Sequence, residues 1–296
     1  MTEVRCVVES ADLLGEGPCW SAPEGRLYWF DIKGFRLSWH EPDGRRSGSH
    51  ELPMRASAAA PRKGGGLLLA TERGLALFEP ATGVVDLRQP MDLGHGFRSN
   101  DGQLLGDGCF WWSSMDDDGG KRPGVIFRTC PDGFTEPVIE GIHISNSLGM
   151  SPDRKRLYLA DTRKSTIWAY DTADLSRREV IVETKGQKGG PDGSAIDAEG
   201  FIWNAHWGEA KVVRYAPDGR VDRVVKMPVE QPSCCCFGGA DRSILFVSSA
   251  WEGLAERAQD APPGAGNLFA FDPGVRGMDL PLFEGAYRRP AMTAFL

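Results

Sequence analysis

The chain has 296 residues, 41 acidic and 34 basic, for a formal charge of −7. That balance argues against a nucleic-acid partner, whose phosphates would be repelled, and suits a small neutral substrate or a bound cation. No apolar run reaches the ~18 residues that a membrane span requires. The opening segment Met1 to Cys6 carries no basic stretch followed by a long apolar run, so a protein without a signal peptide, working in the cytoplasm, is expected.

In chain order, the first element expected is a strand at Val4-Arg5-Cys6-Val7-Val8. A unit then recurs six times: a turn, an apolar strand, a short link, and a second strand ending near an aromatic residue and a Pro-Asp-Gly-type turn. The apolar strands are Leu27-Tyr28-Trp29-Phe30, Leu67-Leu68-Leu69-Ala70, Phe110-Trp111-Trp112, Leu157-Tyr158-Leu159, Phe201-Ile202-Trp203 and Leu245-Phe246-Val247. Aromatic and β-branched enrichment between Gly, Pro and Asp turns marks them as strands. Helical periodicity is absent except over residues 251–260, where one short helix is expected.

Six units give a period of about 50 residues, with room for two more strands in each, which is the pattern of a β-propeller. A sandwich is the alternative, but six similar units are too many for one. The expectation is an all-β, six-bladed β-propeller. It would form one domain over residues 1–296, with four antiparallel strands per blade and the N-terminal strand closing the ring.

Four polar residues, Glu16, Asp101, Asn146 and Asp192, each stand five residues before a turn residue (Ser21, Gly106, Ser151 and Asp197). In a propeller the first strand of each blade lines the central channel, so these four are expected at one mouth of it. Three carboxylates and an amide gathered there need a cation or a hydroxyl-rich substrate to compensate them. At this position the second unit offers Ala56 or Ser57 and the sixth Cys234. Arg98, two residues before Asn100, is either a surface charge or points with Asn100 into the mouth to bond a ligand's oxygens. The run Asp116-Asp117-Asp118 is a solvated loop or a cover for the mouth. His143 and His206 are read as structural.

The seven cysteines are odd in number and match no zinc module, so reduced thiols are expected. The run Cys234-Cys235-Cys236 reads first as a packed strand and second as a metal site. There is no G-x-S-x-G elbow, no H-E-x-x-H helix and no convincing nucleotide-binding glycine pattern, which disfavours serine hydrolase, zincin and dinucleotide chemistry.

The segments Leu14-Gly15-Glu16-Gly17-Pro18, Arg98-Ser99-Asn100-Asp101-Gly102, Asn146-Ser147-Leu148-Gly149-Met150 and Pro191-Asp192-Gly193-Ser194 carry a resemblance. Together the chain resembles the senescence-marker-protein/gluconolactonase/regucalcin-like family over almost its whole length. The resemblance implies a sugar lactonase of carbohydrate metabolism with one divalent metal ion held by Glu16, Asn146 and Asp192. It implies that Arg98 and Asn100, and through a loop Asp118, contact the sugar. Asp192 is the expected base, with Asp101 the alternative. Ser99 stands where a bulky aromatic is common in the family. The all-oxygen donor set suits Ca²⁺, Mg²⁺ or Mn²⁺, and Zn²⁺ or Fe²⁺ also accept it. The expected partner is a small sugar lactone, with neither nucleic acid nor membrane, on a monomer or weak homo-oligomer. A phosphotriesterase-like ester hydrolase and a non-catalytic calcium-binding propeller are the competing readings.

Overall fold

In the computed structural model, which describes residues 2–285, six four-stranded antiparallel sheets follow one another around an axis. This is the expected six-bladed propeller. The innermost strands are Gly15–Ser21, Ala56–Pro61, Phe97–Leu104, Ser145–Met150, Gly190–Ile196 and Pro232–Gly238. The sixth blade draws its outermost strand, Arg5–Val8, from the other end of the chain, where it pairs with Leu268–Phe271. That closure joins the ends of the ring through backbone hydrogen bonds rather than side-chain packing alone.

Strand composition follows position. The second strand of a blade is sandwiched between neighbours, so Arg26–Asp31 is buried on both faces beyond its first residue and reads as a continuous apolar run. The outermost strand Arg46–Glu51 has one face in water and is largely exposed. Among the described residues the core is six apolar clusters, each wedged between adjacent blades. Phe30 and Leu37 of blade one meet Leu67 and Leu69 of blade two, and Leu27 and Trp29 meet Phe246 and Leu268 of blade six. Burial of a large side chain is worth about 1.5–3 kcal/mol, so this wedge-by-wedge packing holds the blades around the axis.

All six inner strands share one irregularity. The ladder to the second strand breaks and resumes at Cys19, Ala58, Gly102, Gly149, Ser194 and Cys235. Bulges of this kind re-aim side chains and recur beside functional sites. Here they turn residues near the start of each inner strand away from the blade.

Two expectations are corrected. Residues 251–260 form turns and a single 3₁₀ turn at Ala258–Asp260, not a helix of that length. Gly253 takes a left-handed φ of 75°, and the Glu252 N–H is committed to the Leu13 carbonyl of blade one at 3.0 Å. The thiols are not all reduced: Cys109 and Cys130 form a disulfide, while Cys6, Cys19, Cys234, Cys235 and Cys236 are free. The two bonded cysteines flank the Phe110↔Thr129 rung of blade three, so the ladder itself brings them together. The triple-cysteine run is a buried inner strand, as its first reading has it. Among the described residues no helix is long and apolar enough to cross a membrane.

Candidate active site

A cavity of about 300 Å³ opens at one mouth of the channel, walled by Glu16, Arg98, Asn100, Asn146 and Asp192 from blades one, three, four and five. All five are less than a tenth exposed. Asp117, Thr162, Trp207, Lys33 and Glu252 complete the polar part of the wall.

The bulges decide which residue of each strand faces the cavity. Counted back from the rung where the ladder resumes, Glu16 and Asn146 lie three residues before it, Asn100 and Asp192 two, and Asp101 one. The shared spacing of five residues to the turn therefore does not correspond to a shared rung. Asp101 does not line the cavity. Its Oδ1 accepts the Gly102 N–H at 2.8 Å and its Oδ2 the Leu148 N–H of the next blade at 2.9 Å. Burial pushes its carboxyl up to about 6, and these two N–H donors oppose the rise. Its geometry is that of a clasp between blades three and four.

Glu16 and Asp192 are in a different condition. Burial raises both carboxyls, and mutual repulsion raises them further: Asp101 acts on Glu16, and Glu16 and Asp101 act on Asp192. Glu16 accepts only its neighbour's Gly17 N–H at 3.1 Å. Among the described residues no side chain donates to either carboxylate. Two buried carboxylates without side-chain partners are costly unless a cation or protons compensate them.

Asn146 is held in one orientation. Its Nδ2 donates to Thr162 Oγ1 at 2.8 Å, and that hydroxyl donates to the Pro191 carbonyl at 2.7 Å. The amide oxygen is left for the cavity side, where Asn100 Nδ2 reaches it at 3.2 Å. Among the described residues no three His, Cys, Asp or Glu side chains are grouped to hold an ion. The Asn146 amide oxygen shares the cavity with the Glu16 and Asp192 carboxylates. Two carboxylates and one oriented amide oxygen fit a hard divalent cation with positions open to water or substrate.

Arg98 does point into the mouth. Its Nε donates to Asp117 Oδ1 at 2.7 Å, and its Nη1 to Asn100 Oδ1 at 2.6 Å and to the Ser99 carbonyl at 2.9 Å. Its Nη2 has no partner among the described residues and is available to a ligand oxygen. Asn100 in turn donates to the Ser145 carbonyl at 2.8 Å. Asp118 is not brought to the cavity: its side chain is 73% exposed and pairs with Lys121. Its neighbour Asp117 lines the wall instead, because the chain turns at Gly119 and Gly120, both with positive φ. Ser99 is buried behind the site, donating to the Ala70 carbonyl at 3.1 Å, with its hydroxyl oxygen 2.8 Å from that of Ser57. His143 bonds the Gly120 carbonyl, and His206 is buried between Glu209 and Tyr215, so both have structural partners.

One supporting device was missed in the sequence. In every second blade a serine in the bulge donates to a backbone carbonyl of the next inner strand. Ser57 bonds Asn100 O at 2.5 Å, Ser147 bonds Asp192 O at 2.5 Å, and Ser233 bonds Gly15 O. Three hydroxyls thus hold the backbone at or beside Asn100, Asp192 and Glu16. The recurrence of serine at alternate bulges was the available signal.

The sequence profile of the family described as SMP-30/Gluconolactonase/LRE-like region matches residues 14–251. L-arabinolactonase of Azospirillum brasilense is 32% identical over 294 residues, 97% of each chain. The 6-deoxy-6-sulfogluconolactonase of Pseudomonas putida is 31% identical over 95% of this chain and 99% of its own. Among solved structures, regucalcin of Agrobacterium tumefaciens, described as a calcium-binding protein, matches with a TM-score of 0.86 at 34% identity. That match covers 97% of this chain and 98% of the other.

Proposed function

Because the chain belongs to the SMP-30/gluconolactonase/LRE-like family, we propose that it hydrolyses a sugar lactone to the aldonic acid, with a divalent cation held by Glu16, Asn146 and Asp192. One observation carries this reading: two buried carboxylates without side-chain partners share a single cavity with an oriented amide oxygen and a guanidinium that keeps a free donor edge. A purely structural ion has no use for a positive charge beside its open face. Relatives named as lactonases of two different sugars support the reaction class and leave the sugar open.

A divalent cation bound there supplies Lewis acidity toward the lactone carbonyl and acidifies a water. The chain's own residues do the rest. Arg98 directs Nη2 at a ligand oxygen, while Asp117 and Asn100 fix its plane. Asn100 spends its amide on Arg98, Asn146 and Ser145, so it acts chiefly by holding its neighbours. Asp192 takes the proton of the water that attacks the carbonyl carbon, and that proton passes to the ring oxygen as the C–O bond breaks. Asp101 is less suited to be the base, since both its oxygens already accept backbone N–H groups.

The testing experiment is proton release from D-glucono-1,5-lactone and matched arabinono- and xylono-lactones by EDTA-treated protein, with and without Ca²⁺, Mg²⁺, Mn²⁺, Zn²⁺ or Fe²⁺. Metal-dependent turnover above the spontaneous rate is the expected result. The likeness to a protein described as calcium-binding favours a second reading, a cation-binding propeller without turnover. Cation binding with no hydrolysis of any lactone would select it. Faster turnover of a phosphotriester than of any lactone would select the ester hydrolase.

A further inference from the structure

Among the described residues six charged side chains line the cavity: Glu16, Asp192, Arg98, Asp117, Lys33 and Glu252. The first four are accounted for above. Lys33 and Glu252 form an ion pair of their own across the junction of blades one and six. Both side chains are about a third exposed, 29% and 32%, and a pair so exposed contributes little to stability. Their carriers, by contrast, are tightly held. Asp31 accepts the N–H groups of Leu13, Leu14 and Gly34 at 2.9–3.1 Å, the Ile32 N–H bonds the Leu14 carbonyl, and the Glu252 N–H bonds the Leu13 carbonyl. A rigid frame thus presents a weakly stabilising pair to the cavity, which is how a recognition element is built.

Resting on the lactonase reading, we infer that Lys33 and Glu252 form a subsite that reads the end of the lactone remote from its ester. It selects an uncharged, hydroxyl-bearing end over an anionic one. The ester must lie at the buried ligands Glu16, Asn146 and Asp192 to react. The end remote from it then points toward the more exposed rim of the cavity, where Lys33 and Glu252 stand. A hydroxyl can accept from the ammonium and donate to the carboxylate at once. An anionic end gains from Lys33 but is repelled by Glu252, and it must break their pair to bind. Discrimination therefore comes from the repulsive partner as much as from the attractive one.

The test compares kcat/KM for D-glucono-1,4-lactone and D-glucaro-1,4-lactone on cation-loaded protein. The two compounds differ only in a hydroxymethyl group against a carboxylate at the far end. The wild type is expected to favour the neutral lactone. Glu252→Gln, which keeps shape and removes charge, should raise the charged-to-neutral ratio about tenfold, chiefly through KM for the charged lactone. Adding Lys33→Met to that variant should return the ratio toward the wild-type value. Melting curves of all three proteins should coincide within a few degrees. A ratio that moves less than about twofold in Glu252→Gln, or that stays raised in the double variant, overturns the subsite while leaving the lactonase reading intact. A wild type that hydrolyses neither of these two compounds but does hydrolyse an arabinono- or xylono-lactone overturns this inference alone, and one that hydrolyses no lactone at all ends the lactonase reading with it.

Discussion

The same six inner strands end in two very different mouths. At the front they present Glu16, Asn100, Asn146 and Asp192, buried and polar, with repulsion among carboxylates raising Glu16 and Asp192. At the rear they present Trp20, Leu104, Met150, Ile196 and Phe237 around a cavity of only about 70 Å³. The segment from Gly277 to Phe283 crosses that rear mouth like a strap. Gly277 N bonds the Arg242 carbonyl at 2.9 Å at one end, and Phe283 N bonds the Pro61 carbonyl at 2.8 Å at the other. Phe283 is buried with Leu68, Leu104 and Phe110. One end of the channel thus holds stability and the other holds unpaired charge, so function and stability should respond oppositely to mutation.

Asp192→Asn should break that division most sharply. Loss of the proposed base and metal ligand should lower kcat by about a thousandfold. At high pH, where the carboxyls of the mouth are ionised, the same change removes a buried, repelled charge, so the EDTA-treated variant should then melt higher than EDTA-treated wild type. A variant that turns over normally, or that melts lower without metal, would remove Asp192 from both roles. The rear mouth should behave in reverse. Phe283→Ala should cost about 3–5 kcal/mol of stability, seen as a lower melting temperature, with kcat at 25 °C nearly unchanged. If activity fell in step with stability, the two mouths would not be independent.

pH sharpens the comparison from the other side. Burial first, and repulsion from Asp101 second, raise the Glu16 carboxyl from 4.5 to about 8. The folded metal-free protein therefore binds a proton here that the unfolded chain has lost. That contribution is fully present below pH 4.5 and is lost as pH rises through about 8. Glu16→Gln carries no such term. In EDTA the melting temperatures of wild type and Glu16→Gln should converge near about pH 5, with the variant the more stable by a few degrees near about pH 9. Saturating divalent cation should stabilise wild type most at high pH, because metal and proton compete for the same oxygens. A melting difference that does not change with pH would mean the carboxylate is already compensated by the protein.

Composition and turn chemistry made the blades legible. Buried second strands had to read as runs such as Leu27 to Phe30 or Leu67 to Ala70, and the Arg5–Val8 strand had no partner nearer than the last blade. Register gathered Glu16, Asp101, Asn146 and Asp192 near the starts of inner strands, and only the family resemblance singled out Glu16, Asn146 and Asp192 among them. What stayed hidden depended on geometry that leaves little mark on composition. A bulge shifts which residue faces the axis without changing the residues present, so Asp101, which spacing placed at the mouth, is turned away while Asn100 lines the cavity. Lys33 and Glu252 lie 219 positions apart and meet only because the ring closes. Cys109 and Cys130 meet only because their strands pair in register. Over residues 251–260 the Glu252 N–H goes to the Leu13 carbonyl of blade one instead of to a helix, a partner that no local pattern encodes.

Asp117 and Asp118 give the smallest effect and the cleanest separation of sequence from structure. Burial tends to raise the Asp117 carboxyl, but Arg98 and Arg55 outweigh it and hold the group below the usual carboxylate range. Its two oxygens bond Arg98 Nε and Arg55 Nη1, both at 2.7 Å. Asp117→Asn keeps one acceptor and removes the charge that holds two guanidinium groups together. Arg98 should then lose its fixed plane, raising KM about tenfold with kcat changed by less than about threefold. Asp117→Glu, which restores the charge, should recover part of that loss. Asp118→Asn should change neither constant by more than about twofold, since its carboxylate bonds only Lys121 at the surface. Steady-state kinetics of the three variants on one lactone decide the matter. If Asp118→Asn carries the KM effect and Asp117→Asn does not, the loop presents the other acid to the substrate, and the turn at Gly119 and Gly120 must open when the lactone binds.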